Sequence, residues 1–381
     1  MSNKFTGTRI EFHILQSFPV SCLNRDDMGA PKSALIGGVP RARVSSQCWK
    51  RAIRMQMHEL GVNTAKRTLL LDRLIKEKCL AHGATDEQAV FCGNYFAAAF
   101  DKEQNNQKAK KKGAKSKAEE VEKESEETAS EASEKTKRSL FFISDHEAEA
   151  VADAFEKNNF GEIPKEELKN ICKNSVNTAH DGLDIALFGR MAANAPDLNI
   201  EAAASVAHAI STHRVNSEID FFTAVDECKP PEDSHGAGHM GPLEFNSATY
   251  YRYVSLDLGQ LADTLKGNDI QEAVELFTKA LFLAFPAARQ ATMSAASPWN
   301  YAIITVRKGQ RMQLSFNDPV KPQADMVAAS VESMKVQFEA VKHMYGTLFG
   351  LVGSEIEIAP SRDGKSIDDV IAALKEAVTS I

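Results

Sequence analysis

Four short runs rich in apolar and strand-forming residues predict the core strands of the chain. They read RIEFHILQSF, AASVAHAIST, TYYRYVSLDL and YAIITVRK, at residues 9–18, 203–212, 249–258 and 301–308. Runs of this length and composition are typical of β-strands. We therefore expect a sheet with four core strands.

Helical periodicity appears between these strands. Residues 46–60 carry apolar side chains at helical spacing, including Trp49 and Met57, and Gly61 follows where a C-terminal cap is expected. A second amphipathic helix is predicted over 270–285. The element order is then strand, helix, strand, strand, helix, strand. It predicts an α+β, ferredoxin-like core, the fold that RNA-recognition domains also have.

Two excursions interrupt this core. Residues 61–182 contain two predicted helices near their start and two more at 143–157 and 164–172. Between these pairs, residues 102–138 contain no aromatic residue and are basic in their first half and acidic in their second. Such a segment cannot bury enough apolar surface to offset its ordering entropy, so we predict a disordered insertion. The second excursion, residues 214–247, leaves the core between its second and third strands.

After the fourth strand, a C-terminal extension is predicted. It comprises a long helix over about 325–349, the short strand EIEI and a last helix. A loop is expected over residues 19–43, because they are rich in Gly, Pro, Asn and Asp.

The composition of the 381 residues is that of a globular protein, with 43% hydrophobic residues and a formal net charge of −7. This balance argues against a surface that is basic throughout, so nucleic-acid binding would have to depend on local clusters of cations. The six cysteines include no Cys-x-x-Cys pair, which indicates reduced cytoplasmic thiols and predicts no zinc site. No apolar run reaches the length of a membrane span and no signal-peptide core is evident, so we expect a cytoplasmic protein without membrane contact.

One stretch, residues 25–54, departs from this acidic balance with seven basic and two acidic residues. Gly37 and Gly38 would let a ligand backbone approach closely. Residues 45–47 present hydroxyls and free amides at a helix N-terminus, which favours an anion there. No Gly-Lys-Ser/Thr closes the glycine run, so a nucleotide-binding P-loop is not expected. A capped helix behind a solvated loop would explain each residue alone, whereas the combination predicts a site for nucleic-acid phosphates.

The motifs in and beyond this stretch resemble a known family. The chain carries, in order, SCLNRDDMGAPKSALIGGVPRARVSSQCWKRAIR, LFGRM, VAHAISTHRVNSEIDFFTAVDE and LEFNSATYYRYVSLDLGQL. These motifs are similar to those of the backbone subunit of type I-E CRISPR Cascade complexes, the CasC-type branch of the RAMP superfamily. The insertion at 102–138 has no counterpart in the resemblance, and the C-terminal third matches only loosely.

The resemblance implies a hand-like fold with an RNA-recognition-fold palm, helical fingers and an extended thumb. It places the palm in residues 1–60 and 183–213, the fingers in 61–182 and the thumb in 214–247. Residues 248–381 form the second half of the palm and the C-terminal helices. It also implies a subunit that binds without catalysis and needs no metal or cofactor. Copies would polymerise along the spacer of a CRISPR RNA (crRNA), beside other Cascade subunits, and leave its bases free to pair with target DNA.

The resemblance places crRNA contacts on polar side chains that local charge and helix-end chemistry also single out. These are Lys32, Arg41, Arg43, Ser45, Ser46, Gln47, Lys50 and Arg51, to which local charge adds Arg25 and Arg54.

The resemblance implies that the thumb displaces bases of the guide. Met191, Phe222 and Thr223 would act as wedges, since an apolar side chain inserted between base steps interrupts stacking. Without the resemblance, IDFF would be interpreted as a core strand and Met191 as a gap-filling side chain.

The basic half of the 102–138 insertion is a candidate for contact with duplex DNA, because finger-side lysines make such contacts in the family. A solvated tether is the alternative. The lysines are Lys108, Lys110, Lys111, Lys112, Lys115 and Lys117.

A RAMP-fold endoribonuclease is the alternative from another functional class. Asp26 and Asp27 lie in the loop after the first strand, where related type III subunits carry a catalytic aspartate, and carboxylates beside phosphates suit metal-assisted cleavage. The surrounding LNRDDMG follows the type I-E pattern, so we interpret the pair as structural, with neighbouring arginines as candidate partners. A third hypothesis, a general single-strand-binding protein, predicts binding without partner subunits or a spacer-length limit.

Four histidines suggest further chemistry. His208 and His213 flank a predicted strand and could form an acid–base pair for RNA cleavage, but we expect hydrogen-bonded palm residues. His235 and His239 are four residues apart, as zinc ligands can be. They lie in a Gly-rich stretch without a Cys or Glu partner at suitable spacing, so we interpret them as loop histidines.

Overall fold

The computed structural model describes residues 3–100, 140–175, 177–192, 195–224, 239–361 and 364–381. The chain divides into two compact units. The first comprises Met1–Val62, Thr178–Phe188 and Ala202–Ile381, and the second comprises Asn63–Asn177 and Gly189–Glu201.

Strands and helices are numbered along the chain. The strands are β1 (Thr8–Ser21), β2 (Ser33–Ile36), β3 (Val39–Val44), β4 (Lys66–Thr68), β5 (Phe141–Ile143), β6 (Ala204–Val206), β7 (Ala209–Ser211), β8 (Glu218–Ala224), β9 (His239–Asp257), β10 (Tyr301–Lys308) and β11 (Ile356–Ile358). The helices are α1 (Ser46–Glu59), α2 (Leu71–Ala81), α3 (Asp86–Phe100), α4 (Asp145–Lys157), α5 (Lys165–Asn174), α6 (Leu183–Phe188), α7 (Leu258–Thr264), α8 (Ile270–Leu283), α9 (Gln290–Met293), α10 (Met326–Tyr345) and α11 (Ile367–Ser380). Two short 3₁₀ helices cover Pro196–Leu198 and Gly346–Phe349.

A large antiparallel sheet forms the first unit. Seven strands follow the order β11-β10-β1-β9-β7-β3-β2, while β6 and β8 also pair with β9. The central register pairs Arg9 with Asp257 and Phe18 with Ala248. The strand pairs within this sheet are antiparallel.

Both faces of this sheet are buried. Consecutive residues of β1 are buried from Thr8 to Gln16, and side chains alternate between the two faces along a strand. Phe12 and Ile14 lie on one face, in a cluster that includes Ile53 of α1, Phe277 of α8 and Leu374 of α11. The opposite face is covered by α10 and the segment after β10. That second cluster contains Leu15, Tyr251, Tyr253, Met312, Leu314, Phe316, Met334 and Phe338.

The second unit is mainly helical, with the short hairpin β4–β5. Its core brings together aromatic side chains of α3 and α4, among them Phe96 and Phe155. Glu147 and Arg190 form a buried ion pair in this unit, with Oε1 and Nη1 2.7 Å apart. Glu147 also completes the capping box with Ser144 that starts α4.

The structure confirms the predicted core elements and corrects several of their limits. The four predicted strands are present, but 203–212 forms two short strands and the third extends back to His239. The loop predicted over 19–43 contains the hairpin β2–β3, so that prediction was wrong. The predicted C-terminal helix, short strand and last helix are all present. The lysines of the insertion, Lys108 to Lys117, lie outside the described residues.

Candidate nucleic-acid interface

The hairpin β2–β3 carries the first part of the candidate interface at the end of the sheet. Gly37 and Gly38 form its turn, with φ angles of 60° and 76° that favour glycine. A Cβ at Gly37 would lie 1.9 Å from the carbonyl oxygen of Asn317. The close approach expected at Gly37 is therefore made by the chain's own backbone, which fixes the hairpin in place.

The start of α1 follows β3 directly. Ser45 is its N-cap: the Ser45 Oγ accepts from the Cys48 amide at 3.3 Å, and the Ser45 amide donates to Asn24 Oδ1 at 2.9 Å. Ser46 and Gln47 occupy the first helical positions, where amides have no intrahelical acceptor. The first turn contains no acidic residue. Gln47 is exposed and Ser46 half-buried, so this helix end remains open to an anion.

Five cations lie on or next to the segments that meet at this helix end, and we call them the basic edge: Arg25, Lys32, Arg43, Lys50 and Arg51. Arg25 and Arg51 are exposed, and the other three are half-buried. The backbone amide of Arg43 donates to the Lys32 carbonyl at 2.9 Å. Burial raises the pKa of the Cys48 thiol, whereas the charges of Lys32 and Arg51 act in the opposite direction, so both cations lie close to α1's first turn.

Lys50 differs from the exposed members of the basic edge. Its ammonium lies 5.7 Å from the centroid of the Phe188 ring, and burial lowers its pKa. A cation that has already lost part of its hydration pays a smaller desolvation cost when a phosphate binds.

Two residues of the predicted contact set, the buried Arg41 and the half-buried Arg54, bond to other parts of the protein. Arg41 is fully buried, and its guanidinium donates to the carbonyl oxygens of Ser211 at 2.7 Å and Phe316 at 3.2 Å. Arg54 donates from Nε to the buried Asp184 Oδ2 at 2.5 Å. The structure therefore assigns these two side chains to internal contacts and leaves the basic edge, with Ser46 and Gln47, as the candidate phosphate contacts.

The aromatic side chains at the centre of the sheet are closed to ligands. His13, Tyr251 and Tyr253 lie on the face that α10 covers, and all three are buried. The His13 Nδ1 lies 2.9 Å from the Tyr251 hydroxyl. Open RNA-recognition sheets stack bases on aromatics at such positions. Here α10 covers these positions, so this face of the sheet does not offer its aromatics to bases.

Asp26 serves the turn after β1. Its Oδ1 accepts from the amides of Met28 and Ala30, both at 2.9 Å. These two bonds give Asp26 a role in the structure of this turn. The expected ion pair with an arginine is not found among the described residues, and Asp27 is exposed.

His208 and His213 are hydrogen-bonded, as expected. The His213 Nδ1 donates to the Arg214 carbonyl at 2.9 Å, and its Nε2 accepts from the Thr249 amide at 3.3 Å. This arrangement requires the neutral ring, in agreement with a pKa lowered mainly by burial. The His208 Nδ1 lies 3.2 Å from Arg43 Nη1; burial, followed by the charges of Arg43 and Lys32, lowers its pKa. His235 lies outside the described residues, and His239 begins β9.

An exposed two-stranded ribbon extends from the sheet where β8 pairs with residues 239–245 of β9. Phe221 and Met240 are 68% and 65% exposed. Phe222 is 42% exposed and lies against Gly241, and Thr223 is exposed. The interpretation of IDFF as a core strand was therefore wrong, because this strand is not buried. Residues 225–238 between the two strands lie outside the described residues.

Met191 is 83% exposed, so it does not fill a gap in a core. It belongs to the second unit, whereas Phe222 and Thr223 belong to the first. The three predicted wedge residues are thus distributed over both units.

A possible metal site in the described part of the chain lies elsewhere. His82, Glu149 and Asp153 of the second unit have ligand atoms within 4.8 Å of one another. The His82 ring already contacts carboxylates through both nitrogens, at 2.7 Å from Glu149 and 2.7 Å from Glu156. The arrangement is that of an ion-paired imidazolium.

The comparison with known proteins decides the family. Residues 10–378 match the model of the CT1975-like protein family. The chain belongs to this family. The match includes the β2–β3 hairpin, α1 and the ribbon, and it confirms the resemblance to a Cascade-type subunit.

Solved structures similar to this CT1975-like protein share its fold. One chain of a "CRISPR RNA-guided surveillance complex, pre-nicking" is 24% identical with a TM-score of 0.74, and the match covers 97% of this chain and 99% of that one. A chain of a second "CRISPR RNA-guided surveillance complex" is 20% identical with a TM-score of 0.64, at the same coverage. Among curated protein sequences, none matches significantly. No described helix is long and apolar enough to cross a membrane.

Proposed function

We propose that this CT1975-like protein is the crRNA-binding backbone subunit of a type I-E Cascade surveillance complex. Copies polymerise along the guide spacer, beside other subunits, and present its bases for pairing with target DNA in antiviral defence. The similar solved chains come from RNA-guided surveillance complexes, which supports this assignment. The subunit acts by binding and carries out no catalysis.

The observation that carries the proposal is the basic edge around the start of α1. Five cations and the open amides of a helix without first-turn carboxylates lie together on a protein of net charge −7. Side chains and amides of this kind bind phosphates and do not distinguish bases. A guide held through its phosphates keeps its base edges free, so that base pairing supplies the specificity.

The sheet supports the assignment of an RNA-recognition-type palm. The core strands lie in the order β10-β1-β9-β7, which is the fourth, first, third and second strand of the predicted core. Antiparallel strands in this order are those of the ferredoxin-like fold. Because the face with Tyr251 and Tyr253 is closed, the guide binds at the end of the sheet.

The ribbon is proposed as the thumb. Its exposed side chains include Phe222 and Thr223, the predicted wedge residues, and Phe222 is 42% exposed while its ring lies against Gly241. An apolar side chain on a slender ribbon can enter a base step and interrupt stacking.

The test of the proposal is binding of single-stranded RNA by a charge-reversal variant. We expect the triple variant Arg43→Glu, Lys50→Glu, Arg51→Glu to lose affinity for RNA by more than about 100-fold, because three phosphate contacts are lost. The slope of log affinity against log salt should also become less steep by about 2. The matched control reverses three exposed cations elsewhere in the first unit, Lys308→Glu, Arg311→Glu, Lys365→Glu, with the same change in net charge. Fluorescence anisotropy over a salt series measures both quantities. Equal losses in the two variants would contradict a localised interface.

The endoribonuclease alternative is tested on the same RNA. Since the Asp26 carboxylate already accepts two backbone amides, we expect the RNA to stay intact through a long incubation with Mg²⁺. Fragments that disappear with Asp26→Asn would favour the nuclease.

A further inference from the structure

Buried arginines in the described part of the chain fall into two groups. Arg9, Arg190 and Arg307 are paired with the carboxylates of Asp257, Glu147 and Glu11, respectively. Arg41 and Arg252 are also buried, yet neither has a carboxylate partner among the described residues. The arginine of interest is Arg252, because it contacts α1 itself.

Arg252 lies on β9 and is 2% exposed. Its Nη1 donates to Gln16 Oε1, and Gln16 is held in turn by a bond from its Nε2 to the Ser297 carbonyl at 2.5 Å. Its guanidinium carbon lies 3.5 Å from the centroid of the Trp49 ring. Its Nη2 has no acceptor among the described residues.

A buried charge without a counter-ion is costly for the fold. Burial lowers the pKa of Arg252 to about 9, so the side chain is still charged at neutral pH. Stacking on Trp49 and the bond to Gln16 offset part of this cost, but an apolar side chain could fill the volume without it.

The position of Arg252 links it to the candidate interface. Trp49 is the fourth residue of α1, about 6 Å along the helix axis from the Ser45 cap. The same Trp49 packs between β3 and β9, in the cluster with Val44 and Tyr250. The charge stacked on Trp49 therefore lies beside the first turn of α1, near the helix end that the basic edge flanks. Because it is buried, salt screens it less than the exposed cations.

We propose that Arg252 is a positioning residue of the RNA interface. Its buried charge has no counter-ion within the described chain, and phosphates bound at the start of α1 supply the compensating charge. Its stacking on Trp49 also fixes the first turn of α1. The inference rests on the proposed function, since it requires that the basic edge binds RNA.

The test compares Arg252→Met with Arg252→Lys and with the control Arg9→Met. Arg9 lies in the same sheet, and its removal makes the same change in net charge. We expect Arg252→Met to bind single-stranded RNA about tenfold more weakly, equivalent to about 1.4 kcal/mol. Arg252→Lys should recover most of this loss, and Arg9→Met should bind like the wild type. The salt slope of Arg252→Met should stay close to wild type, because the surface contacts with phosphates are unchanged.

A second readout separates this role from a purely structural one. Saturating RNA should raise the melting temperature of the wild type more than that of Arg252→Met, because only the wild type gains a counter-ion. A structural role would lower the melting temperature of the free variant and leave the affinity of the folded protein unchanged.

Each remaining outcome is decisive. A folded Arg252→Met that binds RNA like the wild type would overturn the inference. Failure of both Arg252→Met and Arg252→Gln to fold would also overturn it, since the fold itself would then require the charge. If the wild type binds no RNA, the proposed function itself is contradicted, and this result does not depend on the Arg252 variants.

Discussion

Two arginines of β3, Arg41 and Arg43, lie two residues apart and have different surroundings. Side chains at this spacing share one face of a strand. Arg43 is half-buried beside His208, whereas Arg41 is covered and bonded to the carbonyl of Phe316. The covering segment lies 275 positions further along the chain, so the local sequence cannot distinguish the two.

Arg54 and Arg51 permit a prediction that separates stability from binding. Arg54→Met should lower the free energy of unfolding by about 2 kcal/mol, because the fully buried Asp184 carboxylate loses an ion-pair partner. Arg51 is exposed, so Arg51→Met should change stability by less than about 0.5 kcal/mol and weaken RNA binding instead. Urea unfolding and anisotropy measure the two effects. The reverse pattern would contradict the placement of these side chains.

Much of the candidate site could be predicted at the scale of residues. Charge and helix-end chemistry identified the basic edge, because a local excess of cations before a Ser-capped helix is visible in the sequence. Two residues were missed. Asn24 accepts a hydrogen bond from the amide of the Ser45 cap, and Arg252 stacks on Trp49. Their roles depend on contacts between distant parts of the chain, and neither belongs to a local motif.

At the scale of elements, His82 ties α2 to α4 in the second unit. Its ring nitrogens lie 2.7 Å from carboxylates of Glu149 and Glu156, with Asp153 3.5 Å away. Lys78 of α2 adds bonds to Asp145 and Glu149. Two bonds from one imidazole to carboxylates require the protonated ring, and the hydrogen bonds to Glu156 and Glu149 raise the pKa of His82.

This geometry predicts a pH dependence. The pKa of His82 is higher in the folded protein than in the unfolded chain, so its stabilisation is complete below the unfolded value of about 6.5. It is lost as the pH rises through the folded pKa. The melting temperature should therefore fall more steeply between about pH 6 and pH 8 in the wild type than in His82→Gln. The same dependence of melting temperature on pH in the two proteins would contradict the role of His82. The control is His180→Gln, which removes a histidine from an exposed pair with Glu272.

The ribbon allows a second prediction at this scale. Phe222 is the predicted wedge, and Phe221 points to the opposite face because side chains alternate along a strand. A guide RNA containing 2-aminopurine should brighten when the wild type binds, since the wedge interrupts stacking. Phe222→Ala should reduce this increase without a large loss of affinity, whereas Phe221→Ala should keep it. The same signal from Phe222→Ala as from the wild type would exclude Phe222 as a wedge.

Elements with a long buried apolar face were predicted well, and the short or exposed strands were not. The four core strands and α1 have buried faces that leave a pattern in the sequence. The hairpin β2–β3 is short and rich in turn residues, and the ribbon is exposed on both faces. Neither has the alternation of apolar and polar residues from which a strand is recognised. The sequence pattern therefore located only an excursion at 214–247, and the family resemblance identified it as the thumb.

At the scale of the whole molecule, the uneven distribution of charged residues explains how an acidic protein can bind RNA. The net charge of −7 coexists with the basic edge, so in the part of the chain that the structure describes phosphates are attracted to the start of α1 more than to the surface at large. A subunit that repeats along a guide needs a single phosphate-binding surface per copy. Binding should accordingly be steeply salt-dependent, by about 0.7 in log affinity for each phosphate neutralised.

The proposed function is tested most directly by producing the protein with a CRISPR array and neighbouring cas genes and identifying the nucleic acid that copurifies with it. After size exclusion, the extracted nucleic acid is treated with DNase or RNase and separated on a denaturing gel. We expect a large complex with one discrete RNA species. This RNA should be lost in the variant Arg43→Glu, Lys50→Glu, Arg51→Glu and kept in the control Lys308→Glu, Arg311→Glu, Lys365→Glu. A nucleic-acid-free monomer, or RNA trimmed to short fragments by the wild type, would contradict a guide-coating subunit.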